Sequence, residues 1–483
     1  MRARPPLPLL AAALLPLAAC AGPAVNPAAV EPIAPPAGWR TDAGPTAPID
    51  RAWWQAFGDS ALTALVERAL DRNIDIALAT ARVREARAQQ MAARAQLLPT
   101  LDASGGGSDA RNLNAFGQPV TQQSGQVQAQ VAWEADLFGR LSDQASAARS
   151  AWLASQAARD AVRLSVASAA ASGYITLLAL DARLAVARET LAARADALHL
   201  AERRVAAGYS PQLELAQAQA EYQATAQLIP TLEQGIARQE NGLRLLTGDV
   251  PGAVERGAAL ASLAEPAIPD GLPADLLRRR PDIAQAEYQL AASDSTLAAA
   301  RKRFLPQLRL TGAGGAVWSS LLSDDPIGIW SLGASVLAPL FEGGRLRAGA
   351  ESAAAQRDQA AFAYRRAALA AFRDVDDALA IARHSDEQVR ILTAQRDALA
   401  NGFRLARNRY QAGYSPYLEQ LDAQRGLLGA ELALLQARAD ALNARVTLYQ
   451  AMGGGWSAQA IAATRRTEAE GGGDLISPPA VPR

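Results

Sequence analysis

Ala207-Gly208-Tyr209-Ser210-Pro211 recurs unchanged as Ala412-Gly413-Tyr414-Ser415-Pro416, a shift of 413 − 208 = 205 residues. Leu213-Glu214 and Ala218-Gln219 return at the same shift as Leu418-Glu419 and Ala423-Gln424. Farther out, Asp75-Ile76-Ala77 matches Asp282-Ile283-Ala284, Leu98-Pro99 matches Leu305-Pro306, and Gly248 matches Gly453. Asp136-Leu137-Phe138-Gly139-Arg140-Leu141 answers Leu340-Phe341-Glu342-Gly343-Gly344-Arg345-Leu346, with two extra residues in the second copy. The chain is therefore a tandem duplication of a unit about 205 residues long, far beyond an ordinary solenoid repeat, and each copy is expected to share one topology.

The repeated pentapeptide reads as a helix stop followed by a helix start. Gly208 supplies the left-handed conformation that ends a helix, Ser210 is placed to cap the next one, and Pro211 suits its first position. Upstream, Gly139–Ala207 and Gly344–Ala412 contain no proline, and only Gly173 interrupts the first stretch. A helix of nearly 70 residues would be about 100 Å long, which makes sense in a coiled coil or tube. Val389, Leu392, Leu399, Phe403, Ala406 and Tyr410 form a heptad-like seam broken at Arg396, and Leu184, Ala187, Leu198, Ala201 and Val205 stand at matching places in the first copy. Two long helices thus run antiparallel, twice, with both turns at the same end.

Before each long helix lie two strand candidates. Val127, Ala129, Val131, Trp133 and Ala135 alternate with Gln126, Gln128, Gln130 and Glu134, a period of two with one apolar and one polar face. Its partner begins at Leu101 and Ala103; the second copy offers Leu308 and Leu310, then Trp330, Leu332, Ala334, Val336 and Ala338. Alternating segments of about ten residues joined by polar loops match transmembrane barrel strands. Two copies give four strands, whereas an open sheet cannot sit in lipid with unpaired edges and the smallest usual barrel has about eight. Several chains must then share one barrel, and the same association would close the helices into a hollow cylinder.

Composition narrows the class. Half of the 483 residues are apolar but only 5% are aromatic, and acidic and basic residues balance at 48 each. No net field attracts nucleic acid. Lys302 is the lone lysine. The N-terminus carries Arg2 and Arg4, an apolar run from Leu7 to Leu17, and then Leu17-Ala18-Ala19-Cys20, the parts of a secretory signal ending in a lipobox-like Cys. The expected plan is a lipoprotein signal peptide over 1–19, a Pro- and Ala-rich tether over 20–49, the first repeat over 50–270, the second over 271–457, and a partly disordered tail over 458–483. Strands are expected at about 100–110, 124–136, 307–318 and 329–340, and long helices at about 140–207, 211–247, 345–412 and 416–452. Beyond Cys20 no run reaches the roughly 18 to 20 apolar residues a membrane helix requires, so a membrane crossing has to use strands.

Taken together these features resemble the outer membrane factor family typified by TolC and OprM, most closely its lipoprotein branch of the OprM/NodT type, over about Cys20–Trp456. Trp53-Trp54, Phe57, Asp59 and Leu62 look like that branch's opening motif, Gly271-Leu272-Pro273-Ala274-Asp275-Leu276-Leu277-Arg278-Arg279-Arg280-Pro281-Asp282-Ile283 its most specific motif, and Leu448-Tyr449-Gln450-Ala451-Met452-Gly453-Gly454-Gly455-Trp456 its usual end. The resemblance implies a mainly α chain with transmembrane β: a TolC-like trimeric α/β barrel in which four strands per protomer build a shared twelve-stranded β-barrel. Long antiparallel coiled-coil helices then form a periplasmic α-barrel, and an equatorial belt comes from Asp42–Leu70, Asp249–Leu277 and the chain after Gly453. It implies the outer-membrane exit duct of a tripartite efflux pump, a homotrimer fed by an inner-membrane RND-type pump through a periplasmic membrane-fusion adaptor. The lipobox implies N-palmitoyl and S-diacylglycerol groups on Cys20, anchored in outer-membrane lipid, and no other cofactor.

No catalytic constellation is visible, and His199 and His384 lack the spacing of a metal site, so an enzyme is not expected. By resemblance, the segment beyond the second reversal lines a periplasmic aperture. Asp422 and Arg425 fall in the Asp-Ala-Gln-Arg motif, and Glu419 shares their helix face; of the three, only Glu419 has a duplicate, Glu214. Under three-fold symmetry each carboxylate becomes a ring that favours cations; the bland alternative is a solvated face with an ordinary ion pair. The reversal residues Gly208, Tyr209, Ser210, Gly413, Tyr414 and Ser415 are the expected adaptor-contact tips. A duct for type I protein secretion and a structural coiled-coil envelope lipoprotein remain alternatives, the latter leaving the duplicated strand pairs without a role.

Overall fold

The computed structural model describes residues 31, 33–41, 46–47, 49–113, 115–269, 273–320 and 326–456. Cys20, the segment expected as a signal peptide, and the tail after Trp456 lie outside the described residues, as do Gly271 and Leu272. In chain order the elements are β1 (Thr46–Ala47), a 3₁₀ turn (Trp53–Phe57), α1 (Ser60–Arg72), α2 (Ile74–Ala95), β2 (Thr100–Leu113), β3 (Pro119–Ala135), α3 (Arg140–Ala206), α4 (Gln212–Ala226), α5 (Leu228–Leu246), β4 (Ile268–Pro269), α6 (Pro273–Arg279), α7 (Pro281–Lys302), β5 (Gln307–Ser319), β6 (Ile327–Leu337), α8 (Arg345–Gln411) and α9 (Tyr417–Ala451). The chain divides into two compact units, one holding Ala81–Gln156 and Gln285–Arg366, the other Ile33–Thr80, Ala157–Ala284 and Ala367–Arg483.

The first unit holds a four-stranded antiparallel sheet in the order β2-β3-β5-β6. Its registers put Leu101, Val131, Gly312 and Leu332 in one row, and Ala103, Ala129, Gly314 and Trp330 in the next. Because side chains alternate across a strand, this face is apolar, while Asp102, Gln130, Ala313 and Ser331 share the opposite one. The apolar face is uncovered among the described residues: Trp330 is 79% and Leu332 81% exposed. Among the described residues the strands β2 and β6 are sheet edges, each with one side of its backbone lacking a ladder partner.

α3 and α8 are each 67 residues long, and the seam positions read from the sequence are buried or half-buried while most residues between them are exposed. Gly173 does not interrupt α3. It lets α5 come close, for a Cβ there would stand 2.7 Å from Leu243, and Gln239 Nε2 donates to its carbonyl at 2.9 Å. One window of α3 is apolar enough to cross a membrane by length and composition, which the sequence reading missed; 56% of it is buried inside the chain, where it serves as core.

The helix expected over 211–247 is broken instead at Gln227, into α4 and α5. Pro230 lacks the N–H that would bond back to Ala226, and its ring crowds that carbonyl. Leu435 stands at the matching place in α9, which runs unbroken for 35 residues.

In the second unit one core gathers Trp53, Phe57, Leu62 and Val66 with Val254, Leu260 and Leu263, packed on Tyr174, Ile175 and Leu177 of α3 and Leu442, Val446 and Tyr449 of α9; smaller clusters lie around Leu232 and around Tyr410. These are segments expected to form the belt. Trp53 stacks on Tyr449 at 5.4 Å between ring centroids. The duplication shows in the polar ties as well: Asn73 Nδ2 donates to Leu246 O at 3.0 Å, and Arg280 to Ala451 O at 3.2 Å, so each repeat closes its last helix with a side chain from the start of its own α2 or α7.

Asp59 is the polar centre of this core. Its Oδ1 accepts from Ala61 N at 2.7 Å and Leu62 N at 3.1 Å, capping α1, and its Oδ2 accepts from Ala258 N at 2.9 Å and the Tyr174 hydroxyl at 3.1 Å. Tyr174 in turn accepts from Gly257 N at 2.8 Å. Burial, with the nearby Asp59 carboxylate adding to it, pushes the Tyr174 hydroxyl up to about 12. A raised tyrosine stabilises the fold in its neutral form, so its contribution is intact below the unfolded value near 10 and is lost as pH rises through about 12. Tyr174→Phe is expected to cost ~1–3 kcal/mol by leaving Gly257 N–H and Asp59 short of a partner. In melts of the detergent-solubilised protein, its deficit relative to the parent should shrink between pH 9 and pH 12; a deficit constant across that range would contradict this assignment.

Candidate functional site

Around the two helix reversals, ion pairs and hydrogen bonds join α3, α4, α8 and α9. Each reversal has the same backbone geometry. Gly208 and Gly413 both adopt φ +78°; Tyr209 N bonds to Arg204 O and Tyr414 N to Arg409 O, each at 2.8 Å. The cap differs from the sequence expectation. Pro211 and Pro416 are themselves the N-caps, extended at ψ 153° and 157°, and no side chain caps either helix. Because Pro211 and Pro416 are themselves extended, the cap position falls on them and Ser210 and Ser415 lie one residue outside it; Pro211 O and Pro416 O accept from Glu214 N and Glu419 N. Tyr209 and Tyr414 project outward, 84% and 80% exposed.

The predicted aperture residues are near one another but are divided among different partners. Glu419 pairs with Arg409 at 2.9 Å, within the α8–α9 hairpin. Glu214 accepts from the Tyr410 hydroxyl, joining α4 to α8. Arg425 reaches Asp422 only at 3.5 Å, and its Nε donates to Glu221 of α4 at 2.8 Å. Asp422 is the most exposed of these acids.

Glu221 and Arg194 escaped the sequence reading. Glu221 sits between two arginines: Arg425 on α9, and Arg194 on α3 at 2.8 Å from its Oε2. Arg194 is 4% exposed and also donates to Glu221 O at 2.7 Å and to Thr225 Oγ1. Burial drives its guanidinium down while Glu221 pulls it back up. The signal was present, because Arg194 occupies the gap between Ala187 and Leu198 in the first-copy seam, a heptad position where an apolar residue belongs. Tyr410 and Tyr417 pack at 5.5 Å beneath this cluster, and Arg204 lies 4.6 Å over the Tyr410 ring. Burial and the bond to Glu214 hold the Tyr410 hydroxyl above the ordinary tyrosine range.

Glu221 thus ties its own hairpin internally through Arg194 and the second hairpin through Arg425. The first tie is buried; the second ends on a half-exposed arginine. A further carboxylate, Glu431, is raised by burial and by Glu189 nearby, with Arg396 opposing the shift. Among the described residues no group of His, Cys, Asp and Glu is arranged to hold a metal.

The outer membrane efflux protein family model matches residues 65–249 and 272–454, one segment for each repeat. The chain belongs to that family. The pyoverdine export outer membrane protein OpmQ of Pseudomonas putida is 36% identical over 442 residues, covering 88% of this chain and 93% of that protein. The probable outer membrane lipoprotein SilC of Salmonella typhimurium is 31% identical over 412 residues, covering 84% and 88%. The solved outer-membrane channel OprN superposes with a TM-score of 0.81 at 30% identity, covering 89% of this chain and 99% of its own. This efflux channel has a TolC-like fold, resides in the outer membrane, and works by conduction rather than catalysis.

The two ties to Glu221 are expected to differ in strength. Glu221→Gln strands Arg194 in the helix packing, at a cost of ~3–5 kcal/mol. Arg425→Ala removes a half-exposed partner and should cost no more than about 1 kcal/mol. Thermal melts followed by helical circular dichroism rank the two; equal losses would contradict the buried role of Arg194.

Proposed function

We propose that three copies of this efflux channel close their sheets into one barrel and their helix hairpins into one tube, forming the passive exit duct of a tripartite pump for toxic small molecules. The observation that carries the reading is the four-stranded sheet, with two unpartnered edges and an uncovered apolar face, in a chain whose relatives are outer-membrane efflux proteins. Lipid satisfies no backbone group, so the edges must meet other copies. Three copies give twelve strands, within the usual range of such barrels. Acylated Cys20, carrying N-palmitoyl and S-diacylglycerol, would hold the N-terminus in the outer membrane; the lipoprotein name of the relative SilC supports this.

In this reading the Glu221–Arg425 tie, with Glu214–Tyr410, restrains the hairpins around the periplasmic aperture, and Asp422, exposed beside Arg425, contributes a ring of carboxylates to the bore. The exposed Tyr209 and Tyr414 tips meet the periplasmic adaptor, which links the duct to an inner-membrane RND-type pump. The names of relatives such as OpmQ point to small exported compounds rather than secreted proteins.

Asp422→Ala is expected to enlarge the resting single-channel conductance in planar bilayers and to weaken cation preference; unchanged values of both would remove Asp422 from the aperture. Tyr209→Asp combined with Tyr414→Asp should abolish adaptor capture while the trimer survives in detergent, and undiminished capture would move the adaptor contact elsewhere.

A further inference from the structure

The repeat fixes how one copy's sheet meets the next. β2 and β5 correspond at a shift of 207. α2 and α7, which precede them, are both 22 residues long, and the turn bonds Leu97 N to Arg94 O and Leu98 N to Ala95 O recur as Phe304 N to Arg301 O and Leu305 N to Lys302 O. The strands then begin at Thr100 and Gln307. β3 and β6 correspond at 205: Thr100 pairs with Ala132 and Gln307 with Leu337, and 337 − 132 = 205. The helices after them start at Arg140 and Arg345, the same shift again.

Within one chain, the β3–β5 seam joins the first repeat to the second. We propose that the same seam, transposed by these shifts, joins β6 of one copy to β2 of the next, pairing Val336 with Gly105, Ser335 with Gly106 and Ala334 with Gly107. This rests on the reading that copies share one barrel, and adds the register. Two observations support it. The observed pairs Val131–Gly312 and Ala129–Gly314 become Val336–Gly105 and Ala334–Gly107, the same residue types facing each other at both seams. The facing is also preserved: Val336 lies in the row of Leu308 and Ala135, and Gly105 opposite Val127, all on the apolar face. A slip of one residue would turn every apolar side chain of one partner toward the bore.

The register sets the shape of the barrel. Thr100 pairs with Ala132, Ala132 with Thr311, and 311 − 207 = 104, so each repeat advances the ladder four residues, and each chain eight. Eight residues rise about 26 Å while four strand spacings cover about 19 Å. The strands therefore lean about 54°, beyond the usual range of about 35–45°. Twelve strands at that lean enclose a bore about 31 Å across between backbones, against about 24 Å at a lean of 40°. A steep register widens the exit without adding strands.

Disulfide trapping tests the register in the full-length chain, whose one native cysteine is Cys20. Gly106→Cys with Ser335→Cys places two thiols directly opposite on the bore face, within disulfide reach, and a Cβ at Gly106 meets nothing within 4 Å. Ser335→Cys with Ser104→Cys or with Ser108→Cys keeps the same face but moves the partner two residues, beyond about 7 Å. Oxidised membranes run on denaturing, non-reducing gels should show covalent oligomers for the Gly106 pair, at least five-fold above both controls. Preferential linkage of a control, or no linkage in a trimeric protein, overturns the register and leaves the shared barrel standing. A protein that light scattering in detergent shows to be a single chain overturns both.

Discussion

Along the outer edges of β2 and β6, backbone N–H and C=O groups have no ladder partner among the described residues, and hydrocarbon supplies none; each such group left bare costs several kcal/mol. The sheet cannot reduce that cost alone. Its four strands are too few to curl back on themselves, and its apolar face, with Trp330 and Leu332 about four-fifths exposed, has no covering layer among the described residues. In the proposed reading association removes that cost, and the duplicated unit supplies matching edge strands with which to do so.

The two parts of the molecule described in detail differ in how they are held. The core around Trp53, Tyr174 and Tyr449 is buried and apolar, with Asp59 satisfied by four donors. Near the reversals the ties are ionic, and several end on half-exposed side chains. Exposed pairs contribute little and exchange readily with water, whereas the Arg194–Glu221 pair is withdrawn from solvent.

Much of the fold was legible because the chain states it twice. The Gly-Tyr-Ser-Pro reversals, the alternation from Gln126 to Ala135 and the seam from Val389 to Tyr410 each have a local physical cause, so residue types alone carried them. Features that depended on three-dimensional neighbours were less accessible. Pro230 split a helix in one repeat only, because Leu435 stands at the matching place in the other. Ser210 had the chemistry of a cap, but the proline after it took the position. Gly173 looked like a weak point and proved to be a site of close helix approach. Arg425 and Glu214 of the reversal were found, but their partners Glu221 and Tyr410 lie on other helices, and the buried Arg194 showed in sequence only as a missing apolar residue.

Amide hydrogen exchange of the assembled channel in detergent, read strand by strand, addresses the central claim most directly. If β2 and β6 are joined between copies, their amides exchange as slowly as those of β3 and β5, which are paired on both sides within the chain. Fast exchange at β2 and β6 beside slow exchange at β3 and β5 would show an open four-stranded sheet and contradict the account.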